Sequence, residues 1–236
     1  MSQPRNPVIV ALDVPHLDPA MALVRQLAPV VGAFKIGKEL FVSAGPEVVR
    51  RVRETGAAVF LDLKFHDIPN TVAKAVEAAV RLDVQMLTIH TSGGLAMMQA
   101  AQTAAAEAAL RTGKTQPLVL GVTVLTSLST NDLAETGVPH DVGNQVERLA
   151  SLAAKAGLGG LVCSPLEIVR LRQILPTQMQ LVTPGIRPVD SPVDDQKRTL
   201  TPREAIAAGA NWLVIGRPIY AAPDPRVAAE HILASL

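Results

Sequence analysis

Three charged side chains stand within six positions at the end of an apolar run. The run covers residues 57–61, and Asp62, Lys64 and Asp67 follow it. Residues two apart in an extended chain point to the same face, so we expect Asp62 and Lys64 to project together while the neighbouring leucines face the packing. An ammonium between two carboxylates is held in its charged form. Strand ends are also where α/β proteins commonly build their active sites.

A surface salt bridge is the alternative explanation of this triplet. Exposed ion pairs contribute only about 0–1 kcal/mol, and a D-x-K-x-x-D string can arise by chance. Partly buried charges are costly unless they are paired. A surface cluster does not usually grow out of a run as apolar as residues 57–61. The local sequence therefore favours a functional role for the triplet.

The composition limits the classes of protein to consider. The chain has 236 residues, of which 48% are hydrophobic, and a formal net charge of +1. That balance argues against non-specific binding of nucleic acid. The single cysteine, Cys163, excludes an internal disulfide and a multi-cysteine metal site, and we interpret it as a buried apolar filler. No apolar run is long enough to span a membrane and no signal peptide is evident, so we expect a cytoplasmic protein.

Short apolar runs alternate with stretches of helical periodicity along the whole chain. The predicted strands are 8–12, 33–36, 57–61, 84–89, 118–124, 161–163, 179–182 and 212–215. The predicted helices are 19–30, 46–55, 71–82, 95–111, 144–156, 166–175 and 202–208. This alternation predicts an α/β fold, a (β/α)8 TIM barrel that forms a single domain over residues 1–236. A doubly wound open sheet is the alternative, but no Gly-rich dinucleotide fingerprint follows the first run.

Polar or glycine residues end the predicted strands. In a closed barrel these ends converge on one rim, so residues far apart in sequence become neighbours and form a site. His90, after the fourth run, is either a catalytic histidine or an oriented structural one. The residues at these ends are Asp13, Lys35, Asp62 with Lys64, His90, Thr126 with Ser127, Ser164, 183–187 and Gly216 with Arg217.

Two elements near the end of the sequence have the composition of a phosphate site. Gly216 allows close approach of the backbone and Arg217 adds a cation, in the region where such barrels usually bind phosphate. The second element is the polar loop 185–198, which carries Arg187 and Gln196. Arg217 taken alone could be a surface arginine, and the loop could be a solvated connection. Their proximity favours a phosphate site with a lid.

The segment Asp62-Leu63-Lys64-Phe65-His66-Asp67-Ile68-Pro69-Asn70-Thr71 resembles the signature of the orotidine 5′-phosphate decarboxylase family. Further motifs match that family in order along nearly the whole chain: Leu12-Asp13, Phe34-Lys35-Ile36-Gly37, Val124-Leu125-Thr126-Ser127, Pro184-Gly185-Ile186-Arg187, Asp195-Gln196-Lys197-Arg198 and Gly216-Arg217-Pro218. The resemblance implies a homodimeric barrel that converts orotidine 5′-monophosphate into uridine 5′-monophosphate and CO2. It also implies that no metal or organic cofactor takes part in this last step of de novo pyrimidine nucleotide synthesis.

The resemblance also implies a role for each residue of the charged cluster. Asp13 and Lys35 would hold ribose hydroxyls, and Lys35 would also pair with Asp62. Asp62 would face the substrate carboxylate. Lys64 would protonate the carbon that loses CO2.

Further roles follow from the same resemblance. Asp67 and Thr71 would reach into the neighbouring subunit's site, so that the two active sites are shared. Ser127 would read the pyrimidine edge with support from Thr126. The phosphate would be bound by Arg187, Gln196, Gly216 and Arg217.

Two other functions compete with this one. A barrel of the same superfamily that acts on a sugar phosphate would bind a metal through its carboxylates, so metal dependence distinguishes it. The Ile68-Pro69-Asn70-Thr71 continuation and the Thr126-Ser127 pair favour the pyrimidine enzyme. A non-catalytic phosphate-binding or regulatory barrel predicts the loss of Lys64 or of one carboxylate, and all three are present.

Overall fold

Eight parallel strands close into a barrel in the order of the sequence. The structure is a computed structural model that describes residues 6–188 and 199–236. The strands in these ranges are β1 Val8–Ala11, β2 Ala33–Ile36, β3 Val59–Phe65, β4 Met86–His90, β5 Leu118–Val122, β6 Gly160–Val162, β7 Gln180–Thr183 and β8 Trp212–Ile215. Each strand pairs with the next, and β8 pairs with β1. The (β/α)8 prediction is confirmed, and the open sheet is wrong.

Helices connect the strands on the outside of the barrel. They are α1 Leu17–Leu27, α2 Lys38–Ala44, α3 Glu47–Glu54, α4 Pro69–Arg81, α5 Gly94–Thr112, α6 Thr130–Glu135, α7 Val142–Lys155, α8 Ile168–Ile174, α9 Pro202–Ala208, α10 Arg217–Tyr220 and α11 Pro225–Ala234. The sequence did not predict α2, α6, α10 or α11. The first three of these each bury a single side chain, namely Leu40, Leu133 and Ile219. One buried position is too few to produce a helical period in the sequence.

The apolar core has two separate layers. The larger layer fills the space between the strands and the helices, and it contains residues such as Val10, Leu61 and Leu87. The smaller layer lies inside the barrel and consists of Ile9, Ala11, Ala33, Phe60, Met86, Leu120, Val182, Trp212 and Val214. The barrel interior is therefore a packed apolar floor rather than a channel.

The pleat of the strands places polar residues directly above this floor. Residues two apart on a strand share a face. Lys35 lies two residues after Ala33 on β2, and Asp62 lies two residues after Phe60 on β3. The face that fills the barrel with apolar side chains thus continues toward the C-terminal rim as a layer of charged side chains.

Strand β3 is irregular where it enters this polar layer. Its pairing with β4 is regular up to Leu61, opposite Leu87, and resumes at Phe65, opposite Ile89. Lys64, inside this bulge, has a φ of 55°, a left-handed conformation that is rare for a residue other than glycine. The prediction that this strand ends at residue 61 was wrong, because charged residues inside a bulge lack the apolar pattern of a strand.

Arg172 of α8 links two loops at the N-terminal end of the barrel, where β7 and β8 begin. Its guanidinium donates to the carbonyl of Gly209 at 2.9 and 2.7 Å and to the carbonyl of Met179 at 2.8 Å. It also contacts Asn211, whose side-chain oxygen accepts from the backbone N–H of Leu181 at 2.8 Å. One partly buried cation thus satisfies the carbonyls of two loops.

We predict that Arg172→Met lowers the free energy of unfolding by about 2–4 kcal/mol, since partly buried carbonyls lose a charged donor. The control is Arg170→Met on the same helix, which removes a more exposed arginine that pairs with Glu147. This control substitution should lower the free energy of unfolding by less than about 1 kcal/mol. Urea denaturation measures both variants, and equal losses would contradict the assignment.

Candidate active site

A cavity of about 260 Å³ lies at the C-terminal ends of the strands. The predicted site residues that line it are Asp13, Lys35, Asp62, Lys64, Thr126, Arg187, Gly216 and Arg217. Its floor is apolar and includes Phe60 and Val214 from inside the barrel. The structure therefore brings together residues that are more than 200 positions apart in the sequence, as the barrel prediction required.

Lys64 and Asp62 form the central ion pair of this cavity. The Lys64 Nζ atom lies 2.8 Å from each carboxylate oxygen of Asp62, and the two side chains are 23% and 13% exposed. Partial burial strengthens their attraction relative to an ion pair in water. The ammonium is thus fixed at the edge of the apolar floor with its charge partner beside it.

Asp13, which follows β1, and Lys35 of β2 form a second ion pair. The Lys35 Nζ atom donates to Asp13 Oδ1 at 2.9 Å, and Asp13 is about half exposed. Among the described residues, the ion pair of Lys35 with Asp62 that the resemblance implies does not form. Lys35 instead contacts the carboxylate that follows β1, one of the two strands that pair with β2.

Three of the predicted site residues lie outside the cavity of their own chain. Asp67 and Thr71 are exposed near the start of α4, and Ser127 is exposed after β5. The Asp67 carboxylate accepts from the backbone N–H of Ile68 at 2.6 Å rather than pairing with Lys64. We expected both carboxylates to flank Lys64. Within one chain, Asp62 does so and Asp67 does not.

The two cavity arginines lie on the last segments of the barrel. Arg217 begins α10 directly after Gly216, and Arg187 follows β7. Arg187 donates to the carbonyl of Ile186 at 3.1 Å. Gln196, which the sequence also assigned to phosphate, lies outside the described residues. Two cations on one side of a cavity can bind an anion.

Tyr220 is a cavity residue that was not predicted from the sequence. Tyr220 closes α10, one helical turn after Arg217, and that spacing is a signal that the sequence contained. Burial raises the pKa of its hydroxyl, and the Asp13 carboxylate raises it further. The hydroxyl therefore remains protonated at neutral pH and can donate a hydrogen bond into the cavity.

Cys163 lines the same cavity but is chemically inert there. It is buried, as predicted, and burial raises the pKa of its thiol to about 12. The thiolate is the nucleophilic form of cysteine, and it is scarce at neutral pH under these conditions. Ser164, predicted at the end of the sixth strand, also lines the cavity.

His90 lies at the end of β4 beside the charged layer. Its ring centroid is 5.4 Å from that of His66, and the ring planes are tilted by 41°. Burial lowers the pKa of His90 below its ordinary value of 6.5, and the charges of His66, Lys64 and Lys38 lower it further. His90 is thus neutral at pH 7 and does not line the cavity, which supports a structural role.

The described ranges, 6–188 and 199–236, contain no group of three or more His, Cys, Asp or Glu side chains placed to hold a metal ion. No helix in them is both long and apolar enough to cross a membrane.

Comparison with known proteins gives one consistent result. Residues 6–232 match the sequence model of the family described as orotidine 5′-phosphate decarboxylase / HUMPS. A protein of Opitutus terrae named orotidine 5′-phosphate decarboxylase is 54% identical over 229 residues, which cover 97% of each chain. A protein of Pseudomonas fluorescens with the same name is 52% identical over 236 residues, the whole of both chains.

The fold comparison agrees with the sequence comparison. The crystal structure of orotidine 5′-phosphate decarboxylase from Lactobacillus acidophilus matches with a TM-score of 0.86 and 37% identity, over 96% of this chain and 97% of that one. The matches extend over nearly the full length at high identity and include the barrel that holds the ion pair. The chain belongs to the orotidine 5′-phosphate decarboxylase / HUMPS family.

Proposed function

We propose that the protein converts orotidine 5′-monophosphate into uridine 5′-monophosphate and CO2, the final step of pyrimidine nucleotide synthesis. The observation that carries the proposal is the Lys64–Asp62 ion pair in a cavity that also contains Arg187 and Arg217. An ammonium and two guanidinium groups that line one cavity suit a substrate with a reacting ring and a phosphate. The enzyme acts in the cytoplasm and needs no metal or organic cofactor.

The chemistry requires electrostatic stabilisation. When the bond between C6 and the carboxylate breaks, the electron pair stays on C6 in the plane of the ring, where the π system cannot delocalise it. The Lys64 ammonium stabilises this carbanion and then transfers a proton from Nζ to C6. The attraction of opposite charges about 4 Å apart reaches roughly 4 kcal/mol at an effective dielectric near 20. Lys64 becomes neutral in this step and regains its proton from solvent.

Asp62 has two effects on the same step. It fixes the position of the Lys64 ammonium through contacts of 2.8 Å to both of its carboxylate oxygens. It also faces the carboxylate of the substrate, and the repulsion between the two anions raises the energy of the bound substrate. That repulsion disappears as CO2 leaves, so the reaction lowers the energy of the site.

The remaining residues orient the substrate. Asp13 and Lys35 hold ribose hydroxyls, while Thr126 and Ser127 bind the pyrimidine edge. Charge-assisted hydrogen bonds contribute about 1.5–3 kcal/mol each, and binding energy from a remote phosphate can be converted into rate. The phosphate ligands are Arg187, Gln196, Gly216 and Arg217.

The active protein is a homodimer with shared sites. Asp67 and Thr71 are exposed and do not line the cavity of their own chain, although they are close in sequence to Lys64. The adjacent Ile68 is 67% exposed, an unusual position for a large apolar side chain. We infer that this segment packs against a second copy and that Asp67 supplies the second carboxylate beside the partner's ammonium.

The first experiment is steady-state decarboxylation of orotidine 5′-monophosphate, followed by ultraviolet absorbance with and without a chelator. We expect rapid conversion that the chelator does not change. Lys64→Ala should lower kcat at least 10²–10⁴-fold, because the proton donor is lost. The control Lys155→Ala removes an exposed lysine of α7 that does not line the cavity, and it should retain activity. Activity restored only by a divalent metal would move the assignment to a sugar-phosphate enzyme.

Mixing two inactive variants tests the shared site. Lys64→Ala and Asp67→Ala are each expected to be nearly inactive. In a heterodimer one site carries both changes and the other carries neither, so random mixing of equal amounts restores about a quarter of the wild-type activity. Mixing Lys64→Ala with Asp62→Ala is the control, since both residues belong to the same chain's cavity and no intact site can form. If the first mixture recovers no more activity than this control, Asp67 does not act across the interface.

A further inference from the structure

Thr88 is a fully buried polar residue of β4 that stands opposite the bulge of β3. The pairing of the two strands is regular up to Leu61 and resumes at Phe65, so three residues of β3 face Thr88 alone. Two of these three residues are Asp62 and Lys64. The buried hydroxyl of Thr88 therefore lies beside the segment that carries the central ion pair.

The Thr88 hydroxyl makes a hydrogen bond to each member of this pair. The backbone N–H of Lys64 donates to Thr88 Oγ1 at 2.9 Å, and Thr88 Oγ1 lies 2.9 Å from Asp62 Oδ1. A backbone N–H only donates and an ionised carboxylate only accepts. The hydroxyl must therefore accept from Lys64 and donate to Asp62, so both of its contacts have a fixed direction.

Each contact compensates for an irregularity that the bulge creates. The backbone of Lys64 has a φ of 55°, and its displaced N–H has lost the regular ladder position. A non-glycine residue keeps such a conformation only when its surroundings hold it there. The second contact fixes one oxygen of Asp62, while the Lys64 ammonium contacts both oxygens of that carboxylate. Thr88 thus restrains the backbone of the cation and the rotamer of the anion at once.

We propose that Thr88 is a positioning residue that sets the geometry of the Lys64–Asp62 pair. Thr88 does not line the cavity, so it acts through these two residues and not on the substrate. The kinetic consequence rests on the proposed decarboxylation. A cation displaced by about 1 Å can lower a rate 10²-fold, while the contacts that bind ribose and phosphate lie on other strands and remain.

The test is a comparison of three substitutions. Thr88→Val keeps the shape but removes both hydrogen bonds, and we expect kcat to fall about 10²-fold with KM changed less than about threefold. Thr88→Ser keeps the hydroxyl and should restore kcat to within about tenfold of the wild type. The matched control is Thr91→Val, which removes an equally buried hydroxyl that donates to the backbone carbonyl of Val122 at 2.9 Å. This control should leave kcat within about threefold of the wild type.

Several outcomes would overturn the proposal. These are a normal kcat for Thr88→Val, a Thr88→Ser enzyme as slow as Thr88→Val, or an equal loss of kcat in Thr91→Val. If Thr88→Val does not fold, Thr88→Cys replaces it, because a thiol is a weak hydrogen-bonding group of similar size. The same loss of kcat is then expected, and a normal kcat overturns the proposal.

A second measurement does not depend on the substrate. Amide hydrogen exchange of Lys64 reports directly on the bond from its N–H to Thr88. In Thr88→Val this exchange should accelerate at least about tenfold, while Thr91→Val leaves it unchanged. Unchanged exchange in Thr88→Val overturns the positioning role. If the wild type fails to decarboxylate orotidine 5′-monophosphate but the exchange accelerates, the proposed reaction fails and the positioning role survives.

Discussion

The structure at the C-terminal ends of the strands depends on one requirement. A partly buried ammonium must lie beside a carboxylate. Removing either charge from water costs several kcal/mol unless a partner lies close by. Lys64 and Asp62 are 23% and 13% exposed, and they meet that need at 2.8 Å. The bulge in β3, the left-handed backbone at Lys64 and the buried hydroxyl of Thr88 all occur at this pair. A regular strand would form a more stable hydrogen-bond ladder with β4. The irregularity of β3 is therefore explained by the requirement to pair these two charges.

The apolar floor strengthens the electrostatic interactions of this ion pair. Phe60, Val214 and their neighbours fill the barrel below the charged layer and exclude water from that side. Charges interact more strongly where the surroundings are less polar. The same pleat sets both layers, because Asp62 follows Phe60 on one face of β3. A slip of one residue would turn the charges toward the helices, so packing of the floor also fixes the register of the site.

The sequence predicted the barrel and most of the cavity for one reason. Each strand is a short apolar run, and the polar residue that ends it, such as Asp13 or Arg217, marks the rim. Features that depend on three-dimensional proximity were not accessible in this way. The choice of Asp13 over Asp62 as the partner of Lys35 depends on side-chain placement across β1 and β2. Thr88 was overlooked because a threonine within an apolar strand matches ordinary strand composition, and its two contacts come from a bulge that no local pattern announces.

The charge balance of the cavity bears on assembly. Among the described residues of one chain Lys64 has a single carboxylate partner, while Asp67 is exposed and bonded to the next backbone N–H. In the proposed reaction the Lys64 ammonium stabilises a carbanion and then gives up its proton, and both steps depend on the charges beside it. Under the proposed shared site, the second carboxylate arrives only with a second copy of the chain. The catalytic ammonium is then completed by dimerisation, so activity per chain falls on dilution even where each barrel remains folded.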